Sequence, residues 1–307
     1  MPGSRTTSMV AAIAASFYLA TAAIGQESPA DLVRKTVQNE VSASASGAKF
    51  MFQDHKESAA GSQTKLMVET REAMAGMLIA LNGRPLGPRQ RKDEEARIDR
   101  FVRNTGELKK KQKQEKEDSE RVMRIVRALP DAFLYERDGS EAATEFTGKA
   151  GDQLVRLKFR PNPDYDPPSQ VERVLTGMQG VLLVDENRHR IAKIDGTLFK
   201  EVGFGWGILG HLDKGGKFLV QQADVGDRHW EVTRMNLDFT GKVLLFKSLN
   251  IKSNETFTDF HPAPANLTFK EGVELLRKQH EEMANNNHAS KQSGKGSKAQ
   301  LEKPSLR

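Results

Sequence analysis

Cysteine is absent from the 307 residues, which excludes disulfide scaffolds, thiol catalysis, iron–sulfur ligation, cysteine-built zinc sites and lipidation at an N-terminal cysteine. Long apolar runs are absent beyond the first two dozen residues. The best of the remainder, Met77 to Leu81 and Val243 to Phe246, stop at about five residues, which excludes a polytopic membrane protein. Charge of one sign is scarce too: 47 Lys and Arg against 41 Asp and Glu leave a net +6, too mixed to demand a nucleic-acid partner. The apolar fraction of 37% is low, yet above that of a wholly disordered chain. There is no G-x-S-x-G, no phosphate loop and no H-E-x-x-H. The seven histidines (55, 189, 211, 229, 261, 280 and 288) meet no ligand spacing. The expectation is a non-catalytic protein with no cofactor and no metal.

What is present begins with an export signal. Arg5 precedes a small, apolar run from Met9 to Ala23, broken only by Ser16 and Thr21. At about 15 residues it falls short of the roughly 20 that span a bilayer. Ala20-Thr21-Ala22 and Ala23-Ile24-Gly25 carry the small-x-small pattern that a signal peptidase reads, and Gln26-Glu27-Ser28-Pro29 is polar beyond it. Residues 1–25 are expected to be a cleaved signal peptide, placing the mature protein in the periplasm or outside the cell; an uncleaved anchor is the alternative.

Residues 26–280 read as one α+β domain with a helical insert at 88–129, and 281–307, dominated by Asn, Ser, Lys, Gly and Gln, as a disordered tail. Asp31 to Val41 is a helix with Leu32, Val33 and Val37 on one face, and Lys49 to Lys56 a strand. Leu66 to Leu86 fits either helix or strand; alternation at Leu66, Val68 and Thr70, and the turn pair Asn82-Gly83, favour two strands. Pro88 opens a helix to Val102, Asn104-Thr105-Gly106 breaks it, and Glu107 resumes it until Pro130. Lys109 to Arg121 lacks any apolar side chain. Its alternating Lys and acids make a solvated helix face, whereas Val122, Ile125, Val126 and Leu129 should dock on a core.

After Pro130 the period changes to that of a sheet. Val155, Leu157 and Phe159 alternate, then strands follow at 181–184, 191–199, 217–222, 230–239 and 242–251. Trp230 and Val232 have one parity and Met235, Leu237 and Phe239 the other, which predicts a bulge near Thr233-Arg234, and Thr240-Gly241 reads as the next turn. Leu267 to His280 is a last helix. The short spacing predicts an antiparallel meander.

Gly205-Trp206-Gly207-Ile208-Leu209-Gly210 spells G-x-G-x-x-G, but Gly215-Gly216 leaves no room for the helix a dinucleotide site needs. The same stretch concentrates Phe204, Trp206, Ile208 and Leu209 among glycines. It reads either as a bent sheet corner with its aromatics in the core or as the apolar wall of a ligand pocket, with those four residues touching ligand.

The run Gly180-Val181-Leu182-Leu183-Val184-Asp185-Glu186-Asn187-Arg188-His189-Arg190-Ile191-Ala192-Lys193-Ile194 resembles a hairpin of the periplasmic lipoprotein-carrier superfamily (LolA/LolB-like). Thr233 to Phe239 and Phe246 to Ile251 fit the same plan, so the resemblance covers about residues 131–260. Leu86-Gly87-Pro88 through Val102 is similar to a segment of bacterial exported proteins of unassigned activity. The resemblance implies a strongly curved antiparallel sheet, a half-barrel, with helices on its concave side and room for an acyl chain. The Lys-rich insert and the Gly–Trp stretch depart from it. The implied function is an envelope binding protein for an apolar ligand, a lipid or lipoprotein-like molecule. A structural module that docks an envelope protein through its charged helix 107–129 is the alternative. The implied partners are thus a lipid or lipidated protein, an envelope protein and a membrane surface touched peripherally, with no nucleic acid.

Overall fold

The computed structural model describes residues 27–45, 48–204, 210–243 and 247–299. In chain order the elements are α1 (Pro29–Ser44), β1 (Lys49–Ser58), β2 (Gly61–Val68), β3 (Ala75–Leu81), β4 (Arg84–Pro85), α2 (Pro88–Arg103), α3 (Thr105–Ala132), β5 (Phe133–Ala142), β6 (Gln153–Pro161) and α4 (Gln170–Arg173). A 3-10 turn (Val174–Gly177) leads to β7 (Met178–Asp185), β8 (Arg190–Leu198), β9 (Val202–Phe204), β10 (Gly210–Leu212), β11 (Lys217–Gly226), β12 (His229–Val243), β13 (Lys247–Ala263) and α5 (Phe269–Ala299).

Local chemistry sets the ends of these elements. Ser28 caps α1 by accepting from the Asp31 N–H at 3.1 Å, with Pro29 in the first turn. Asn82 and Gly83, at φ 50° and 69°, turn β3 into β4, the left-handed pair that a two-residue hairpin requires. The ambiguous segment 66–86 therefore holds the end of β2, then β3 and β4, and no helix. Asn104 ends α2 and starts α3, its Oδ1 accepting from the Gly106 and Glu107 N–H groups at 3.1 Å each.

Several boundaries differ from the sequence expectation; β13, for one, spans Lys247–Ala263 where the sequence predicts a strand at 242–251. α3 continues through Pro130 to Ala132, because its final carbonyls find partners outside the helix: the Tyr135 hydroxyl donates to Leu129 O at 2.8 Å, and Asn162 donates to Asp131 O and Ala132 O. Thr240-Gly241 is no turn. β12 runs through it to Val243, with Gly241 opposite Leu249; a side chain at Gly241 would meet His211 O at 2.1 Å, so this glycine admits the backbone of β10 instead of reversing the chain. α5 passes the expected end at His280 because Met283 packs into a core; its helical backbone runs to Ala299. The bulge lies where parity placed it: Gln221 faces Arg234 while Gln222 faces Val232, leaving Thr233 as the extra residue.

Among the described residues the named strands pair antiparallel throughout, in the order β4-β3-β2-β1-β13-β12-β11-β8-β7-β6-β5, with β10 pairing to β12 and β9 to β10. The fold class is α+β, an open, curved antiparallel sheet with helices packed against it. Among the described residues, the pairing of β1 with β13 alone joins the N-terminal strands to the meander.

Two large cores result. In the first, Leu32 and Val33 of α1 and Leu129 of α3 pack on Leu157, Leu182 and Phe239. In the second, Ile98 of α2 and Val273 and Leu276 of α5 pack on Leu66, Val68 and Met77. Pairing register through β12, β13 and β1 puts Met51 on the opposite face from Phe239, so α2 and α5 cover the reverse side of the sheet from α1. α3 touches both cores, through Leu108 near its start and Leu129 near its end. Between those points lies Val122, which the apolar spacing places on a core. It is 61% exposed instead, because the helix there passes over a gap and not over a packed surface.

Candidate functional site

The gap beneath Val122 is a cleft of about 620 Å³, bounded by the end of α1, residues 122–126 of α3, the start of β1 and β8, and the β11–β12 hairpin. Its apolar side is Val122, Met123 and Val126 of α3 with Ile191. Its polar side comes from four separate elements: Glu40 (α1), Glu69 just past β2, Arg190 (β8) and Glu231 (β12), with Lys49 at the start of β1.

One part of that polar side is already satisfied. Glu40 takes two hydrogen bonds from Arg190, Nε to Oε1 at 2.9 Å and Nη2 to Oε2 at 3.1 Å, and a third from the Ile191 N–H at 2.7 Å. Both side chains are buried, and the guanidinium lies 5.5 Å from the centre of the Trp230 indole. This pair latches α1 to the sheet. Asn39 adds bonds to the Arg188 and His189 carbonyls at 3.0 and 3.1 Å.

The other part is not. Glu69 accepts from the Phe50 N–H at 3.0 Å, and burial pushes its carboxyl above the usual range. Glu231 is half-buried and has no hydrogen-bond partner among the described residues. Burial first, and the neighbouring Glu69 charge second, push it up to about 7. Arg190 and Lys49 oppose that rise, and Glu40 adds to it. The indole Nε1 of Trp230, on the cleft wall, is also buried without a partner. The cleft is therefore an apolar strip facing a carboxyl that titrates near neutrality.

Two other places were candidates. A shallower depression of about 710 Å³ crosses β5 to β8 and β11 on the face away from α1, floored by backbone at Gly180 and Gly196 and rimmed by exposed Lys158 and Arg160. It holds no buried charge. At the foot of the β9–β10 hairpin, Glu201, His211 and Asp213 converge, with His211 Nε2 3.2 Å from Asp213 and 3.9 Å from Glu201. Thr240 donates to the second Asp213 oxygen at 2.6 Å. The sequence reading missed this group because Glu201 and His211 meet only across the hairpin; the signal at hand was the i, i+2 spacing of His211 and Asp213, which puts both on one side of a strand.

The four expected ligand-binding residues fall at that hairpin. Phe204 ends β9, while its side chain and Trp206, Ile208 and Leu209 lie outside the described residues. The flanking Val202 and Leu212 are buried in the first core. Gly210 begins a strand, so no helix opens at the third glycine of the G-x-G-x-x-G match. The hairpin meets β12 at Gly241–Val243 and the cleft meets it at His229–Val232, opposite ends of one strand. No sequence motif pointed to the cleft.

The class defined so far is an α+β protein built on an open antiparallel sheet with a charged, partly apolar cleft. No family model matches the chain, and no curated protein matches it significantly. Among solved structures it is similar to a domain described as an outer membrane lipoprotein-sorting protein from Vibrio parahaemolyticus, at 11% identity over 80% of this chain and 99% of that one, with a TM-score of 0.29. An overlap that loose transfers no residue and no activity. No helix among the described residues is long and apolar enough to cross a membrane.

Proposed function

We propose that this chain is an exported, non-catalytic binding protein of the cell envelope that accommodates an apolar ligand, a lipid or a lipidated segment, in the cleft beneath α3. The observation that carries this reading is the 620 Å³ gap left open beneath α3, against α1, β1, β8 and the β11–β12 hairpin, and overhung by the exposed Val122. That volume falls within the range of about 300–1,000 Å³ typical of ligand pockets. The Glu40–Arg190 latch supports a binding wall over a reactive one, because those groups already satisfy each other. Export rests on the Met9–Ala23 run and the small-residue pattern after it. The apolar lip at Phe204, Trp206, Ile208 and Leu209 stands as a second contact proposed at the far end of β12.

The chain's two tryptophans separate the sites, since Trp206 belongs to the lip and Trp230 to the cleft wall. A lysophospholipid titrated into the Trp206→Phe variant should change Trp230 emission. A change seen only in Trp230→Phe would move the site to the lip, and silence in both would refute the binding reading. The alternative, docking of an envelope protein through helix 107–129, draws on the exposure of Lys113, Lys116 and Glu117 along α3. It predicts that lipid leaves both tryptophans unmoved while α3 charge reversals abolish a complex.

A further inference from the structure

We infer that the cleft selects amphiphiles with a cationic head group, the ammonium seated at Glu231 and Glu69 and the hydrocarbon along Val122, Met123 and Val126. This rests on the binding reading above and names the chemistry of its ligand.

The inference follows from counting charges against partners. Arg190 is committed to Glu40 by two hydrogen bonds, so it cannot also neutralise a second carboxylate fully. Asp227 and Arg228, at the tip of the β11–β12 hairpin, are exposed and offset each other. What remains in the lining is Glu69 and Glu231 against Lys49, two carboxyls for one ammonium, with the His229 imidazole beside them. A half-buried carboxylate without a hydrogen bond is costly when ionised, and a cation brought by a ligand removes that cost. A bare metal ion fits poorly, because no cluster of three His, Asp or Glu ligand atoms forms in the cleft among the described residues. A bulky ammonium needs no such close convergence. The apolar requirement is met on the facing wall: Val122 and Val126 are four apart on α3 and so share a side, with Met123 beside them.

The rest of the molecule argues against a nonspecific origin for such a preference. The chain carries a net +6, so long-range electrostatics would draw an anionic amphiphile, not a cationic one. Selection for a cation would therefore have to arise locally.

The test uses three probes with the same lauryl tail, dodecylammonium, dodecanoate and dodecyl maltoside, each below its micellar concentration and at mildly alkaline pH. Binding to the full mature chain is read by calorimetry and by Trp230 emission in the Trp206→Phe background. The expected result is at least tenfold tighter binding of dodecylammonium than of either other probe. Glu231→Gln should erase most of that margin and keep the native circular dichroism. Equal binding of all three, a preference for dodecanoate, or a preference that survives in Glu231→Gln would overturn the head-group assignment and leave the apolar cleft standing. Failure of all three probes to bind would instead overturn the binding reading itself, and the head-group assignment with it.

Discussion

Replacing Glu231 by Gln tests the electrostatics of the cleft in the absence of any ligand. In the folded protein burial and the Glu69 charge lift this carboxyl from 4.5 to about 7, against Arg190 and Lys49 and with a smaller push from Glu40. Asp227, Arg228 and His229 complete the charged and titratable lining. Between those two values the folded state keeps a proton that the unfolded chain has released, so stability falls as pH rises through that window. Below 4.5 both states hold the proton and the penalty vanishes; above 7 it is complete. At about 1.4 kcal/mol per pKa unit the full penalty is about 3 kcal/mol. Solvent access at a half-buried site lowers that to about 2 kcal/mol. Urea denaturation of the wild type and Glu231→Gln across pH 5 to 8 measures it. The variant should be the more stable by about 2 kcal/mol at the alkaline end, and the two should converge at the acid end. Some slope persists in the variant, because burial raises Glu69 as well. Parallel curves, or a variant weakened at alkaline pH, would refute the idea that Glu231 carries uncompensated buried charge.

Breaking the latch gives the opposite sign. Glu40→Ala strands the buried Arg190 guanidinium and should cost about 3–5 kcal/mol in the same denaturation assay, whereas Lys113→Ala, on the exposed face of α3, should leave the midpoint in place. At Gly196 a Cβ would lie 2.5 Å from Gln179 O and 2.6 Å from the Phe218 ring, so Gly196→Ala should lower stability by about 1–3 kcal/mol; an unchanged melting temperature would mean that β7 and β8 are not this close. N-terminal sequencing of the protein recovered from its native host should begin between Ala23 and Glu27; a start at Met1 in a membrane fraction would refute cleavage.

Much of the fold was written locally. Alternation at Val155, Leu157 and Phe159 marked β6, the parity slip at Thr233 marked the bulge in β12, and Asn82-Gly83 decided between helix and strand for 66–86. Such signals survive in a bare sequence because side-chain direction follows from covalent geometry over two to four residues. The same logic misjudged Val122, since apolar spacing marks the face a helix turns inward but not whether anything lies beneath it. It misjudged Thr240-Gly241, where the glycine serves a strand that approaches from outside the local segment.

The cleft was illegible for a stronger reason. Glu40 and Arg190 are 150 residues apart, and Glu69, Glu231 and Val122 come from three further elements. Each reads alone as an ordinary surface charge or core valine. The sequence by itself determined most of the longer elements and the class of sheet, and it leaves no cysteine for thiol chemistry, all properties of composition or short-range pattern. Only the tertiary structure decided which carboxylate has a partner and which has none, because burial and pairing of charge depend on what the chain brings together from afar, and no periodicity encodes that.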